Sequence, residues 1–138
     1  MKPQAAAFLD KARDLLERAA TMLNVGLNQD AGRAAYVAGF HAAQAFLFEQ
    51  HDKAVKTHKG VRTEFLRLTR NDARVDDEQR AFLGRTYNLK SIADYETGPA
   101  SYVSADSASE AIQSARRFVE CVVTLLPPDG EAPHTPDI

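Results

Sequence analysis

Cysteine is almost missing from this sequence, and the single one, Cys121, cannot close an internal disulfide. It sits in the run Phe118-Val119-Glu120-Cys121-Val122-Val123, where burial as a small apolar side chain is the expected fate. Histidine is sparse too, at positions 41, 51, 58 and 134, and no two have the four-residue spacing of a helical zinc pair. With no second thiol to help, no metal site is expected. A Gly-rich phosphate loop and a Gly-x-Ser-x-Gly nucleophile elbow are both lacking, so no cofactor is expected either. No apolar run approaches the ~20 residues of a membrane span. Met1-Lys2-Pro3-Gln4 leads into an Ala-rich stretch carrying Asp10 and Asp14, unlike the unbroken apolar region of a signal peptide. These absences predict a soluble cytoplasmic protein with no membrane partner.

What remains is the profile of an ordinary globular domain: 138 residues, 44% hydrophobic, 26% charged, formal net charge −2. The charge is uneven. Residues 1–51 are neutral overall, residues 52–74 carry +4 and residues 75–138 carry −6. The basic block holds Lys53, Lys56, Lys59, Arg62, Arg67, Arg70 and Arg74. Such a block is either a solvated helix face or the footprint of an anion or RNA.

Periodicity predicts an all-α fold, a compact bundle of about five helices over residues 1–126. Nothing alternates with period two, so no strand is expected. Pro3 suits a first helical position, and Phe8, Leu9, Ala12, Leu15, Leu16, Ala19 and Leu23 repeat at helical spacing. A break at Gly26 precedes a second helix, with Asp30 as its expected cap. Tyr36, Phe40, Ala43 and Leu47 form one stripe of that helix, and Ala35, Gly39, Ala42 and Phe46 form the next. Apolar or small residues thus cover most of its circumference, which predicts a central, most-buried helix. Gly39 inside it costs about 1 kcal/mol relative to Ala, and close approach of a neighbouring backbone is the expected compensation. Thr57 caps a third helix, ending near Asn71, and Asp76 or Asp77 a fourth, with Phe82, Leu83, Leu89, Ile92 and Ala93 on its apolar face. Ser104, or Ser107 with Glu110 in a capping box, opens a fifth helix that Pro127-Pro128 ends. Residues 127–138, with four prolines and three acids, read as a disordered tail.

The candidate site residues follow from chemistry. His41 lies on the central helix, as a hydrogen-bonded core histidine or a base. His58, flanked by Lys56 and Lys59 and followed by Arg62, stands at a helix start whose free N–H groups suit an anion. Lys90 and Asp94 are four apart and pair on one helix face, and Tyr95 follows at the helix end.

Three segments taken together, Tyr36-Val37-Ala38-Gly39-Phe40-His41-Ala42-Ala43, Lys56-Thr57-His58-Lys59-Gly60-Val61 and Lys90-Ser91-Ile92-Ala93-Asp94-Tyr95, resemble a prokaryotic branch of the HEPN superfamily. The resemblance implies a four- to five-helix bundle, commonly a homodimer, often encoded beside a small nucleotidyltransferase as a toxin–antitoxin pair. Many HEPN proteins are metal-independent ribonucleases whose motif is an Arg followed, after four to six residues, by a His. Lys90 stands where that Arg would be and Tyr95 where that His would be. No Arg here precedes a His at that spacing; Arg33 and His41, the nearest pair, are eight apart. Lys lacks the forked guanidinium, and tyrosine, with an ordinary pKa near ~10, is no neutral-pH base.

The leading expectation is therefore an interaction module of a HEPN/nucleotidyltransferase pair with a degenerate ribonuclease motif. A second reading is a ribonuclease with a rearranged site. There His41 or His58 would act as base, Asp94 would orient it, and Lys90 or residues 56–62 would hold phosphate. A third is a nucleotide-binding domain without turnover.

Overall fold

The protein is described by a computed structural model over residues 1–128; residues 129–138, with His134 and most of the expected tail, lie outside the described part. Five α-helices follow in order: α1 Pro3–Asn24, α2 Asn28–His51, α3 His58–Thr69, α4 Asp77–Tyr95 and α5 Ala105–Leu125. A short 3-10 turn at Gly98–Ser101 joins the last two, and no strand occurs among the described residues.

Helix α1 buries Ala5, Leu9, Ala12, Leu16 and Ala19 along one stripe. The chain then reverses sharply, because Gly26 takes a positive φ of 82°. Leu27 N–H bonds back to Met22 O and Gly26 N–H to Leu23 O, so α2 begins at once, at Asn28. Asp30 is therefore not its cap. Leu27 occupies that position without a side-chain bond, and Asp30 lies in the first turn, where its charge suits the positive end of the helix. The other expected caps form. Thr57 Oγ1 accepts from Gly60 N–H at 3.0 Å, and Asp76 Oδ1 accepts from Gln79 N–H at 2.9 Å. Of the two serines at the start of α5, Ser104 is the cap, accepting from Ser107 N–H at 3.0 Å. The third helix stops at Thr69, two residues short of the expected Asn71.

Helix α2 is the centre of the bundle, packed by each of the other four helices. Its buried residues run from Ala31 to Leu47 and include seven alanines and two glycines. Those small side chains let neighbours come close on every side. Around it sits an aromatic core: Phe82 stacks on Phe118 at 4.6 Å, Phe118 meets Phe65 at 5.2 Å, and Phe65 meets Phe46 at 5.7 Å. Gly39 is accommodated differently from expectation. A side-chain ring, that of Phe82, fills the space above its Cα, so no neighbouring backbone is needed there.

Two contacts set the geometry of the site. Gln44, buried on α2, donates through Nε2 to Val55 O at 2.7 Å and so pins the loop between α2 and α3. Arg33 on α2 pairs with Asp94 at 2.8 Å, holding the end of α4 against α2.

Candidate functional site

An open pocket of about 290 Å³ lies where α2, the start of α3 and the second half of α4 meet. Helical spacing explains its lining. Val37, Phe40 and His41 fall on one face of α2 at offsets of three and four, and Tyr87 and Lys90 share a face of α4. Lys56 and His58 enter from the loop that Gln44 pins and from the first residue of α3. Tyr36 completes the wall, and no carboxylate is among the lining residues.

His58 is the most engaged of these. Its Nδ1 lies 2.6 Å from Tyr36 Oη, and its ring stacks on Tyr87 with centroids 3.9 Å apart. Tyr87 in turn meets the Tyr36 ring edge-on at 5.5 Å. Burial, followed by the nearby charges of Arg62 and Lys90, pushes the His58 pKa below the usual histidine value. Burial, with Tyr87 beside it, pushes the Tyr36 hydroxyl well above the usual tyrosine value. Both groups are thus neutral near pH 7.

His41 occupies another wall, stacked on Phe8 at 6.1 Å and edge-on to Phe40 at 5.9 Å. Its Nδ1 lies 2.7 Å from Gln44 Oε1. Burial lowers its pKa too; the Gln44 bond opposes this and the charge of Lys11 adds to it.

The expected site residues are only partly brought together. His41, His58, Lys56 and Lys90 converge on the pocket. Asp94 and Tyr95 lie beyond its rim. Lys90 Nζ reaches Asp94 Oδ2 at 2.9 Å and sits 5.3 Å from the Tyr95 ring centroid, while Tyr95 is 70% exposed. Asp94, held by Lys90 and Arg33, sits below the usual carboxylate pKa, chiefly through the Lys90 bond. It therefore orients neither histidine, contrary to the expected role: Gln44 holds His41 and Tyr36 holds His58. Lys59 is exposed and lines no part of the pocket. Arg62 lies over Gly84, where a Cβ would come within 2.8 Å of Nε, and it reaches His58 through its charge alone. Further along the basic block, Arg67 pairs with Glu64 and Arg74 with Asp72, both at 2.7 Å, so part of the block is neutralised within itself.

Sequence reasoning missed Tyr87 and took Tyr36 and Phe40 only as packing residues. The available signal was the three-residue spacing of Tyr87 and Lys90, which puts a ring and a cation on one face of α4. Cys121, expected to be buried, is half-buried, with Sγ 3.6 Å from Arg74 O. Among the described residues no group of three His, Cys, Asp or Glu side chains is placed to hold a metal, and no helix is long and apolar enough to cross a membrane.

The described residues form an all-helical bundle with a pocket lined by lysines, histidines and aromatic rings. The HEPN domain family matches residues 5–126, and the chain belongs to that family. A UPF0332 protein of Archaeoglobus fulgidus is 31% identical over 110 residues, covering 80% of this chain and 85% of that protein. A Methanocaldococcus jannaschii protein named "Putative toxin MJ0605" is 28% identical over 126 residues, covering 91% of each.

Proposed function

We propose that this chain is the HEPN component of a toxin–antitoxin-type pair, an interaction module that holds RNA in the pocket between α2, α3 and α4. The observation that carries this reading is the convergence of Lys56, His58 and Lys90 with the Tyr36 and Tyr87 rings, with no carboxylate in the lining. Ammonium groups hold phosphate oxygens, and flat rings beside them accept an unpaired base. The toxin-named relative supports the biological setting. A small nucleotidyltransferase as partner and a homodimer as the resting form belong to the same proposal. The Lys90-Asp94-Tyr95 segment is not a ribonuclease centre of the Arg…His kind in this reading, because Asp94 is closed between two cations and no base follows it.

The test is binding of a fluorescent single-stranded RNA at low salt, with adenosine monophosphate and duplex DNA as competitors. Micromolar RNA binding that Lys56→Ala and Lys90→Ala each weaken supports the reading. Displacement of RNA by the mononucleotide at equal concentration would favour a nucleotide site instead, and no binding at low salt would sink both. Sedimentation of the pure protein tests the dimer, for which a species of only the 15.2 kDa chain mass is the adverse result.

A further inference from the structure

Apolar side chains exposed one by one on a protein surface need no explanation, but a cluster of them does. Among the described residues four large hydrophobic side chains are at least half exposed: Val25, Leu27, Tyr95 and Tyr102. All four lie at one end of the bundle, where α1 ends and α2 begins, and where α4 ends and α5 begins. The side-chain amide of Gln29 donates to Ser101 O and joins the two turns, and the Arg33–Asp94 pair ties them a turn further in. Between the turns an open cavity of about 330 Å³ has Leu27, Asp30, Tyr102 and Val103 among its walls.

The same end carries charge of one sign. Residues 20–32 and 91–108 contain four acids, Asp30, Asp94, Glu96 and Asp106, and no lysine or arginine. Arg33 and Lys90, just inside, are both engaged by Asp94. Asp30, Glu96 and Asp106 are exposed and form no ion pair among the described residues. Helix dipoles do not offset them: two helices begin here and two end, so their terminal partial charges cancel.

These two properties together choose the occupant. The apolar cluster calls for a partner that excludes water from it, and the acids call for a positive one. A nucleic acid or an anionic membrane would meet like charge. A second copy docked about a two-fold axis would set the same acids against each other.

We infer that this end of the bundle is a docking surface for a partner protein that presents a lysine- or arginine-bearing amphipathic segment. An apolar side chain of that segment enters the cavity beside Leu27 and Tyr102, while its cations face Asp30, Glu96 and Asp106. Tyr102 suits an anchor, since its ring supplies rigid apolar area and its hydroxyl can stay in water. The bond from Gln29 to Ser101 holds the two turns together before anything binds, which lowers the ordering cost of docking. The inference rests on the interaction-module half of the reading above, for which it gives a surface and a partner chemistry. It is independent of the RNA half, because the two pockets share no lining residue.

The experiment uses the full chain labelled with nitrogen-15 and a synthetic amphipathic helical peptide of leucine and lysine. Two counterpart peptides replace lysine by glutamate or leucine by serine. The leucine–lysine peptide should move the amide signals of residues 25–30 and 95–106, and neither counterpart should. Leu27→Ser and Tyr102→Ser, both at exposed positions, should each weaken that peptide about tenfold or more while thermal stability and RNA affinity are kept. An Asp30→Lys, Glu96→Lys double variant should lose the leucine–lysine peptide and take up the leucine–glutamate one. No peptide binding, binding that the serine variants leave unchanged, or shifts centred on acids elsewhere, such as Glu110 and Glu120, would each overturn the inference. So would shifts that grow with protein concentration alone and vanish in Tyr102→Ser, which would give this end to a second copy. RNA affinity measured on the same samples keeps a failure here apart from a failure of the pocket.

Discussion

Tyr36 Oη and His58 Nδ1 lie 2.6 Å apart, and both groups are held neutral by burial, so a single hydrogen lies between an un-ionised phenol and an uncharged imidazole. The contact joins the central helix to the first turn of α3 and shapes the floor of the pocket. Tyr36→Phe removes it while keeping the ring packed against Phe40 and Tyr87. The expected loss is about 1 kcal/mol, the usual net worth of one such bond, read as a lower urea midpoint with unchanged slope.

The same neutral histidines predict the acid limb of stability. His58 and His41 both titrate below the ordinary value near ~6.5, so the unfolded chain takes up protons first as pH falls. Their contribution is fully present above that value and is lost as pH drops through the folded-state values. Stability should therefore begin to fall as pH drops below about 6.5, before carboxylates of ordinary pKa take up protons. A His41→Asn, His58→Asn double variant should show a flatter profile there. A wild-type midpoint constant down to pH 5 contradicts the assignment.

Gly39→Ala tests the central packing. On helix propensity alone it should stabilise by about 1 kcal/mol. The Cβ, however, would overlap the edge of the Phe82 ring, which is itself stacked on Phe118 at 4.6 Å. Overpacking of this kind costs about 1–3 kcal/mol, so the net change should be destabilising. Pairing it with Phe82→Leu should recover part of the loss, since the smaller side chain gives the methyl group room. Two changes that simply add would argue against the contact.

The five helices and the central place of α2 were legible because the apolar periodicity is long and the second helix is small or apolar nearly all round. The caps at Thr57, Asp76 and Ser104 were legible for the same reason: each polar side chain stands just before a periodic run. Asp30 misled because the tight Gly26 turn starts α2 two residues earlier than a cap at that position would. The pocket was legible only in fragments. His41, Lys56, His58 and Lys90 come from three separate stretches, and sequence alone does not show that they share a wall. Tyr87 carried no signal beyond its spacing from Lys90, and the pairing of Gln44 with both His41 and Val55 depends on the path of a loop. Asp94 was assigned to a histidine because Arg33, its second partner, lies 61 residues away in sequence.

Salt dependence separates lysines at the pocket from those outside it. Each phosphate neutralised by a lysine releases counterions, so binding should weaken as salt rises, with a slope set by the number of contacts. Lys56→Ala and Lys90→Ala should each lower that slope by roughly 0.7 on a single strand. Lys59→Ala, at an exposed position outside the pocket, should leave it nearly unchanged. Equal effects from all three would mean that RNA lies across the face of α3 instead.

Tyr95 stands where the resemblance would place the histidine of an Arg…His motif, and Tyr95→Phe asks whether its hydroxyl matters. That hydroxyl makes no hydrogen bond among the described residues, and the side chain is 70% exposed at the end of α4. Its contact with Lys90 runs through the ring face, which phenylalanine keeps. Removing the hydroxyl should therefore leave stability and RNA affinity within about twofold of the unaltered protein. Lys90 is different, since it lines the pocket, pairs with Asp94 at 2.9 Å and lies 5.8 Å from the Tyr87 ring centroid. If the pocket holds RNA as proposed, Lys90→Ala removes one phosphate contact and leaves Asp94 to Arg33 alone, so RNA should bind more weakly while the helix end stays in place. The two variants assayed side by side on one RNA give the decision. A large loss of RNA affinity in Tyr95→Phe would put the contact at the end of α4 and take it away from the pocket.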